Sequence, residues 1–466
     1  MNKSLCLLAL MILSLSFGCS SSQIKTGPDE MAIRPYTENP RYWQYKNKPL
    51  LLLGATDNDN LFQNSNIKSH LDSLKSIGGN YIRNTMSDRD PGDKRAFAIS
   101  AGGKYDLDHW NEDYWLLFEN MLKLTDERDI IVQIEIWDRF DHSRNEWHGD
   151  PYNPKNNINY TYHETGLDSL YPSHPGRNEQ PFFFTVPELD NNAILLKYQK
   201  AFVQKLLSVS LEYDNVLYCI DNETSGTEEW ATFWTEFIRE NSGGKEIYIT
   251  QMWDDWDVKA DIHKRTIEHP ERYGYIDIAQ NSHITGRLNW DNARYVFNHI
   301  RNDPRPVNST KIYGGNHGIW LDRGITADHA VQTFCRNILG GFASSRFHRP
   351  PHGLGLSLPS INSIKTIRKI EEKVKMWELS PSMDLLTNAD GNEAYLAASE
   401  GEKYVLFFPG EGSVELNLGS ITGGFAGQWI SITTGDWGDQ FAINGGGNVE
   451  ISTPGPGGWF AVILKQ

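Results

Sequence analysis

Val216-Leu217-Tyr218-Cys219-Ile220 is an unbroken apolar run that stops at three polar residues, Asp221-Asn222-Glu223. Residues 227–240 then carry apolar side chains at helical spacing, with Thr227 or Ser225 placed to cap the helix and Glu229 nearby. A short run with no polar alternation reads as a strand covered on both faces, and such strands are usually parallel. The same unit, strand then polar tip then helix, recurs on both sides of this stretch. Residues 49–54 (PLLLLG) run into Asp57-Asn58-Asp59-Asn60, and residues 80–83 (NYIR) and 130–137 (IIVQIEIW) follow. Downstream, 246–250 (EIYIT) ends in Gln251-Met252-Trp253-Asp254-Asp255-Trp256, and 275–279 (YIDIA) in Gln280-Asn281-Ser282-His283. Residues 310–313 (TKIY) end in Gly314-Gly315-Asn316-His317, and 342–347 in His348-Arg349.

Helical patterns over 67–77, 110–124, 193–211, 290–300, 327–339 and 360–379 separate these runs. Eight strands, nearly all followed by helices, point to the α/β class and to a (β/α)₈ TIM barrel. Such a barrel gathers the residues just after each strand on one face, so the polar tips become neighbours. The long polar stretch 141–190 reads as a loop, and loops of that length usually serve function. After about Pro381 the composition changes. The last 86 residues hold 16 of the 40 glycines and only two basic residues, Lys403 and Lys465. Short alternating runs there predict a small antiparallel β-sandwich.

The chain has 466 residues, 44 Lys+Arg against 60 Asp+Glu, and a formal charge of −16. That balance argues against a nucleic-acid partner. Four cysteines are too few for a disulfide scaffold, and Cys219 and Cys335 read as buried free thiols. Fifteen tryptophans are many, and exposed indole faces commonly stack on sugar rings. Residues 1–18 have a signal peptide's basic start and short apolar run. Ser16-Phe17-Gly18-Cys19 resembles a bacterial lipoprotein cleavage box, which makes Cys19 the expected lipidation site. Domain expectations are therefore a signal at 1–18, a lipidated tether at 19–34, a barrel at 35–380 and a sandwich at 381–466. The expected location is that of an exported bacterial lipoprotein, in the outer membrane or periplasm, touching membrane only through its lipid.

Glu223 is the sharpest chemical signal. Glycoside cleavage needs an acid on the leaving oxygen and a second carboxylate across the sugar. A strand tip holds such an acid at fixed height, and Asn222 beside it could bind a ring hydroxyl. Together, residues 49–62, 80–84, 217–223, 276–283 and the Gly-rich tail resemble apiosidase-like glycoside hydrolases. In that family a (β/α)₈ barrel carries a C-terminal sandwich labelled as collagen-binding. The most specific piece is 276–283 (IDIAQNSH), close to the family's sixth-strand D-x-x-x-Q-x-G-H pattern. The resemblance implies that Glu223 is the fourth-strand acid and that Asp57 stands near the family's first-strand Asp.

One departure is plain. The family places a nucleophilic Glu at the tip of strand seven, where this chain has no carboxylate. Three readings stay open. The second carboxylate could be Asp254, ranked first because Trp253 and Trp256 flank it, or else Asp255, Asp138 or Asp57. The barrel could bind glycan without cleaving it. Or strand seven is misplaced and Asp322 serves. Glu135, inside strand three, reads as structural.

Basic and ring residues crowd the same tips: Arg83 and Arg89, Trp137, Arg139 and His142, His283, Asn316 and His317, Arg346, His348, Arg349 and His352. They suggest binding of an acidic or sulfated glycan, unless they pair with acids in the same loops. No zinc spacing occurs, so neither catalytic metal nor cofactor is expected, although Asp57-Asn58-Asp59-Asn60 leaves room for a structural calcium. The leading expectation is a lipid-anchored glycoside hydrolase acting on a plant or algal polysaccharide, with Glu223 as general acid. The rival is a surface glycan-binding lipoprotein on a barrel without catalysis.

Overall fold

A computed structural model describes residues 31–316, 318–389 and 391–466. The signal peptide, Cys19, most of the expected tether and His317 lie outside the described residues.

The eight barrel strands are Leu52–Ala55, Tyr81–Thr85, Ile131–Asp138, Val216–Asn222, Ile249–Thr250, Ile276–Asp277, Val307–Asn308 and Ser344–Phe347. Six pair in parallel in the order five-four-three-two-one-eight, and six pairs with seven. Bonds from Ala343 N to Val307 O and from Arg346 N to Ser309 O join seven to eight. Gly274 N to Ile249 O joins five to six. The ring is the expected TIM barrel. Gly54 on strand one is required by this closeness, because a Cβ there would stand 2.0 Å from Tyr81 O on strand two.

Strand seven sits three residues earlier than its apolar pattern suggested. Val307–Asn308 pairs with strand six, and the chain continues extended to Ile312, which bridges Phe347. The shift matters, because Lys311 and Tyr313 then lie at the barrel mouth.

The floor is closed by a three-stranded sheet, Arg34–Pro35, Trp43–Tyr45 and Lys48–Leu50. Fully buried Trp43 packs with Leu52, Tyr81, Ile131, Leu217 and Tyr275 and donates to Asn308 Oδ1 at 3.1 Å. Above this apolar layer the interior is polar. Glu135 is fully buried and accepts from Arg83 Nε at 2.6 Å, which confirms its structural reading. Cys219 and Cys335 are buried and free.

The C-terminal region is the expected antiparallel sandwich, a six-stranded sheet facing a three-stranded one around Leu396, Leu406, Leu416 and Phe425. The outer face of the larger sheet, including Tyr395, Phe407 and Phe460, merges into the barrel's own apolar core. Its neighbours there include the helices Gly286–His299, Ala327–Leu339 and Leu358–Glu371. No described helix is long and apolar enough to cross a membrane.

Candidate active site

The barrel mouth opens into a cavity of about 570 Å³, within the usual range for small-ligand sites. Two carboxylates at its wall, Glu223 and Asp254, come from the ends of adjacent strands. Their local backbone is irregular. Cys219 pairs with Thr250, but the next bridge is Thr224 with Trp253, so strand four advances five residues while strand five advances three. The extra residues form a bulge, a common device beside active sites. Glu223 sits in it at φ 44°, a left-handed conformation that costs energy for a residue with a side chain. Bonds from Thr224 N to Met252 O and from Asp254 N to Thr224 O, each 2.9 Å, lock the two tips together.

The two acids have opposite surroundings. Glu223 Oε1 accepts from Gln280 Nε2 at 2.9 Å, lies 2.9 Å from Lys311 Nζ and accepts from the Tyr313 hydroxyl. Among the described residues no donor bonds Oε2, and the side chain is 15% exposed, so that oxygen faces the cavity. Burial alone would raise the carboxyl's pKa. The Lys311 ammonium and the Tyr313 bond outweigh it and hold Glu223 well below the usual carboxylate range. A carboxyl so held is ionised at neutral pH and is not poised to donate a proton. Half-buried Asp254 has no side-chain donor among the described residues. Burial, then the charge of Glu223, pushes its pKa up to about 6.

Further charge pairs stand at and beside the cavity. Asp59 bonds Arg83 and Arg349 through separate oxygens, and these guanidiniums, against the effect of burial, keep it ionised. Arg83 Nη2 donates to Asn222 Oδ1 at 2.8 Å, and Lys311 bonds the same oxygen. Arg89 is held by Asp138 at 2.7 Å and by Asp141. His283 is stacked against Trp256, Tyr313 and Trp320 at 4.4, 4.3 and 4.5 Å. Burial drops its pKa to about 3, and burial likewise lowers His174, His348 and His352, so the imidazoles are neutral.

Of the residues expected at the site, Glu223, Asp254, Arg83, Asn222, His283 and His348 meet in this cavity. Several others do not. Asp138 is 3% exposed and serves as the anchor of Arg89. Trp137 is packed among Phe182, Phe202, Trp230 and Trp234. Trp253 is also core, its indole donating to Thr266 Oγ1 at 2.6 Å, and Trp256 lines the cavity instead. Asp57 turns away to accept from Leu356 N at 2.8 Å, and Asp59 takes its expected place. Arg346 is wholly buried beneath the site, donating to Thr310 O at 2.6 Å. Asn316 is exposed and off the cavity, and so is Asp322. The side chains of Asp57-Asn58-Asp59-Asn60 diverge to separate partners, so they do not form a calcium cradle. Among the described residues no cluster of His, Cys, Asp and Glu fits a metal.

Sequence reasoning missed Lys311, Tyr313 and Gln280 as partners of Glu223. Gln280 alone carried a signal, as the Q of the sixth-strand pattern.

No family model matches the chain, and no curated protein sequence matches it. Solved structures do. A glycoside hydrolase family 5 protein from Bacteroides vulgatus superposes with a TM-score of 0.61 at 14% identity, over 93% of this chain and 94% of that one. A second structure, described as a glycoside hydrolase, gives 0.62 at 12% identity over 94% and 97%. A family 5 mannosidase from Rhizomucor miehei gives 0.51 at 13% identity over 74% of this chain and 100% of its own. The chain shares the fold of glycoside hydrolases. At these identities the likeness concerns the fold, and the chemistry has to be argued from the site.

Proposed function

We propose that the barrel mouth cleaves glycosidic bonds, with Asp254 as the proton donor and Glu223 as the ionised carboxylate opposite it. The observation that carries this reading is the split between the two acids. Among the described residues, one has three donors and an oxygen free toward the cavity; the other has no side-chain donor and a pKa raised to about 6, so it holds its proton into mildly acid pH. Carboxyl groups whose environments drive their pKa values apart are what glycoside hydrolysis requires. The roles are exchanged relative to the sequence-based expectation, in which Glu223 was the acid. Glu223 either attacks the anomeric carbon or activates water, and the anomer first released distinguishes these two routes.

The substrate class follows as an expectation: a plant or algal polysaccharide, acidic or sulfated sugars included. The aromatic shelf of Trp256, His283 and Trp320 supports a ring-stacking ligand. Gln280, from the apiosidase-like pattern, supports that narrower kinship by touching Glu223. Cys19 as a lipid anchor for an exported protein belongs to the same proposal, and mass measurement of the mature N-terminus tests it.

The second reading is a glycan-binding protein without catalysis. It is favoured by Lys311 and Tyr313 at the end of strand seven, where the resembled family carries its nucleophile. A reducing-sugar assay over a glycan panel, with wild type beside Asp254→Asn and Glu223→Gln, separates the two. Cleavage lost in both variants supports the hydrolase. Binding without cleavage in wild type supports the second reading.

A further inference from the structure

Among the described residues six cationic side chains line the cavity, Arg83, Arg89, Arg144, Lys311, Arg323 and Arg349. Four are committed to carboxylates: Arg83 and Arg349 to Asp59, Arg89 to Asp138 and Asp141, Lys311 to Glu223. Arg144 and Arg323 are not, since no carboxylate of the described residues lies within ion-pair distance of either.

Both are held in a way that favours a missing partner. Arg144 stacks over Phe140 at 5.4 Å, and its Nε is buried with no hydrogen-bond partner among the described residues. An unmet buried donor is costly and calls for an acceptor. Its backbone has φ 53°. Among described residues with side chains, other than Asn and Asp, only Lys46, Arg144 and Glu223 take this conformation, and two of those three line the cavity. Arg323 lies over Trp320 at 4.9 Å and Trp256 at 5.5 Å, so its guanidinium is carried on the aromatic shelf. Glu146 lines the cavity near Arg144 but stands outside ion-pair distance of it. The neighbouring imidazoles are neutral and add no charge.

Topology sets these two groups apart. Arg144 follows strand three and Arg323 follows strand seven, four positions away in a ring of eight, hence across the mouth. Asp254 lies between them: its Oδ2 is 3.5 Å from the Cβ position at Gly176, in the loop that also carries Arg144, and two residues further on is Trp256, which Arg323 overlies. Glu223 lies toward the Arg323 side, through Tyr313, whose ring packs on Trp320 at 4.7 Å.

We infer that the cavity takes an anionic glycan laid across its mouth, one carboxylate or sulfate bound by Arg144 and another by Arg323, with the carboxylate pair between them. This rests on the glycan reading above and deepens it: the chain is held on both sides of the cleavage point, and charge selects it. Guanidinium is suited to this, since its planar fork matches carboxylate and sulfate oxygens while its face stacks on rings.

Calorimetric binding of three oligosaccharides of equal length, a uronate, a sulfated chain and a neutral one, tests this on the full protein. Arg144→Gln, Arg323→Gln and the double variant are measured beside wild type, with matching melting curves as the check on folding. The expected result is binding of at least one anionic chain about tenfold or more tighter than the neutral one, weakened by salt. Each single variant should lose about tenfold, and the double variant about the product of the two, because the groups are far apart. A preference confined to the uronate assigns carboxylate; one confined to the sulfated chain assigns sulfate. Equal binding of the neutral chain, no binding of either anionic chain, or unchanged affinity in the variants overturns the inference. Product analysis of the same mixtures keeps the two proposals apart. Selective binding with no product contradicts cleavage and leaves charge selection standing. Cleavage of a neutral chain, undiminished in the arginine variants, does the reverse.

Discussion

Lys311 Nζ lies 2.9 Å from Glu223 Oε1, just past strand seven, at the tip where the resembled family carries a Glu and this chain has no carboxylate. The ammonium is 2% exposed and also bonds Asn222, so a buried cation from one strand fixes the ionisation of an acid on another. Removing it leaves Glu223 an uncompensated buried charge, a loss of roughly 3–5 kcal/mol. Lys311→Met should therefore melt well below wild type at pH 7, and adding Glu223→Gln should restore part of the loss.

The same variant should alter the acid side of the pH–rate profile. Glu223 has a depressed pKa, so its stabilising ionised form persists above the ordinary carboxylate pKa and is lost only as pH falls through its lowered folded value. Wild type should show no acid limb across mildly acid pH. Lys311→Met should bring one into view and reduce kcat/KM by about a hundredfold. A profile of unchanged shape would count against ionisation control by Lys311.

Asp254 predicts the alkaline limb. Its pKa is raised to about 6, so the folded state holds this proton more tightly than the unfolded chain does. Its effect on stability is then least unfavourable at low pH and grows as pH rises from the ordinary carboxylate value through about 6. Activity should fall over the upper part of that range as the donor ionises. Asp254→Asn should cost roughly 10²–10⁴-fold on natural glycans and far less on aryl glycosides, whose leaving groups need no proton.

Much of this was legible in the sequence. The alternation of apolar runs and helical periods gave the barrel, and the polar tips gave Glu223 and Asp254. Where the reading failed, long-range packing decided. Asp57 and Asp59 are two residues apart, yet the chain's turn toward Leu356 sends only the second into the cavity. Trp253 and Trp256 flank the pair Asp254-Asp255 symmetrically in sequence. Trp253 continues the strand ladder and is buried against Thr266, while Trp256 lies past it and is 42% exposed. Residues 310–313 look more strand-like than Val307–Asn308, but pairing with strand six selected the earlier segment. Nothing local marks Lys311 or Tyr313 as partners of Glu223, because that contact spans about ninety residues of chain.

Trp256 offers a binding test apart from the acids. Its indole is 42% exposed, stacked on His283 at 4.4 Å and overlain by Arg323 at 5.5 Å. Trp256→Ala should raise KM about tenfold with little change in kcat, the pattern of a residue that stacks on a sugar without touching the reacting atoms.

The sandwich is part of the same apolar body as the barrel. Tyr395, Phe407 and Phe460 bury against barrel helices, and Arg287 donates to Ala389 O at 3.0 Å. Truncation after Leu379 should expose that face and yield an aggregating or markedly less stable barrel. A soluble truncated protein with the full-length melting temperature would contradict this packing.

The most direct measurement is a carboxyl ¹³C NMR titration of the whole protein, with Glu223→Gln and Asp254→Asn used to assign the two signals. The account predicts that Asp254 titrates near 6 while Glu223 stays ionised down to the lowest pH at which the protein remains folded. Glu223 titrating above Asp254, or both moving together near the ordinary value of about 4, would contradict it.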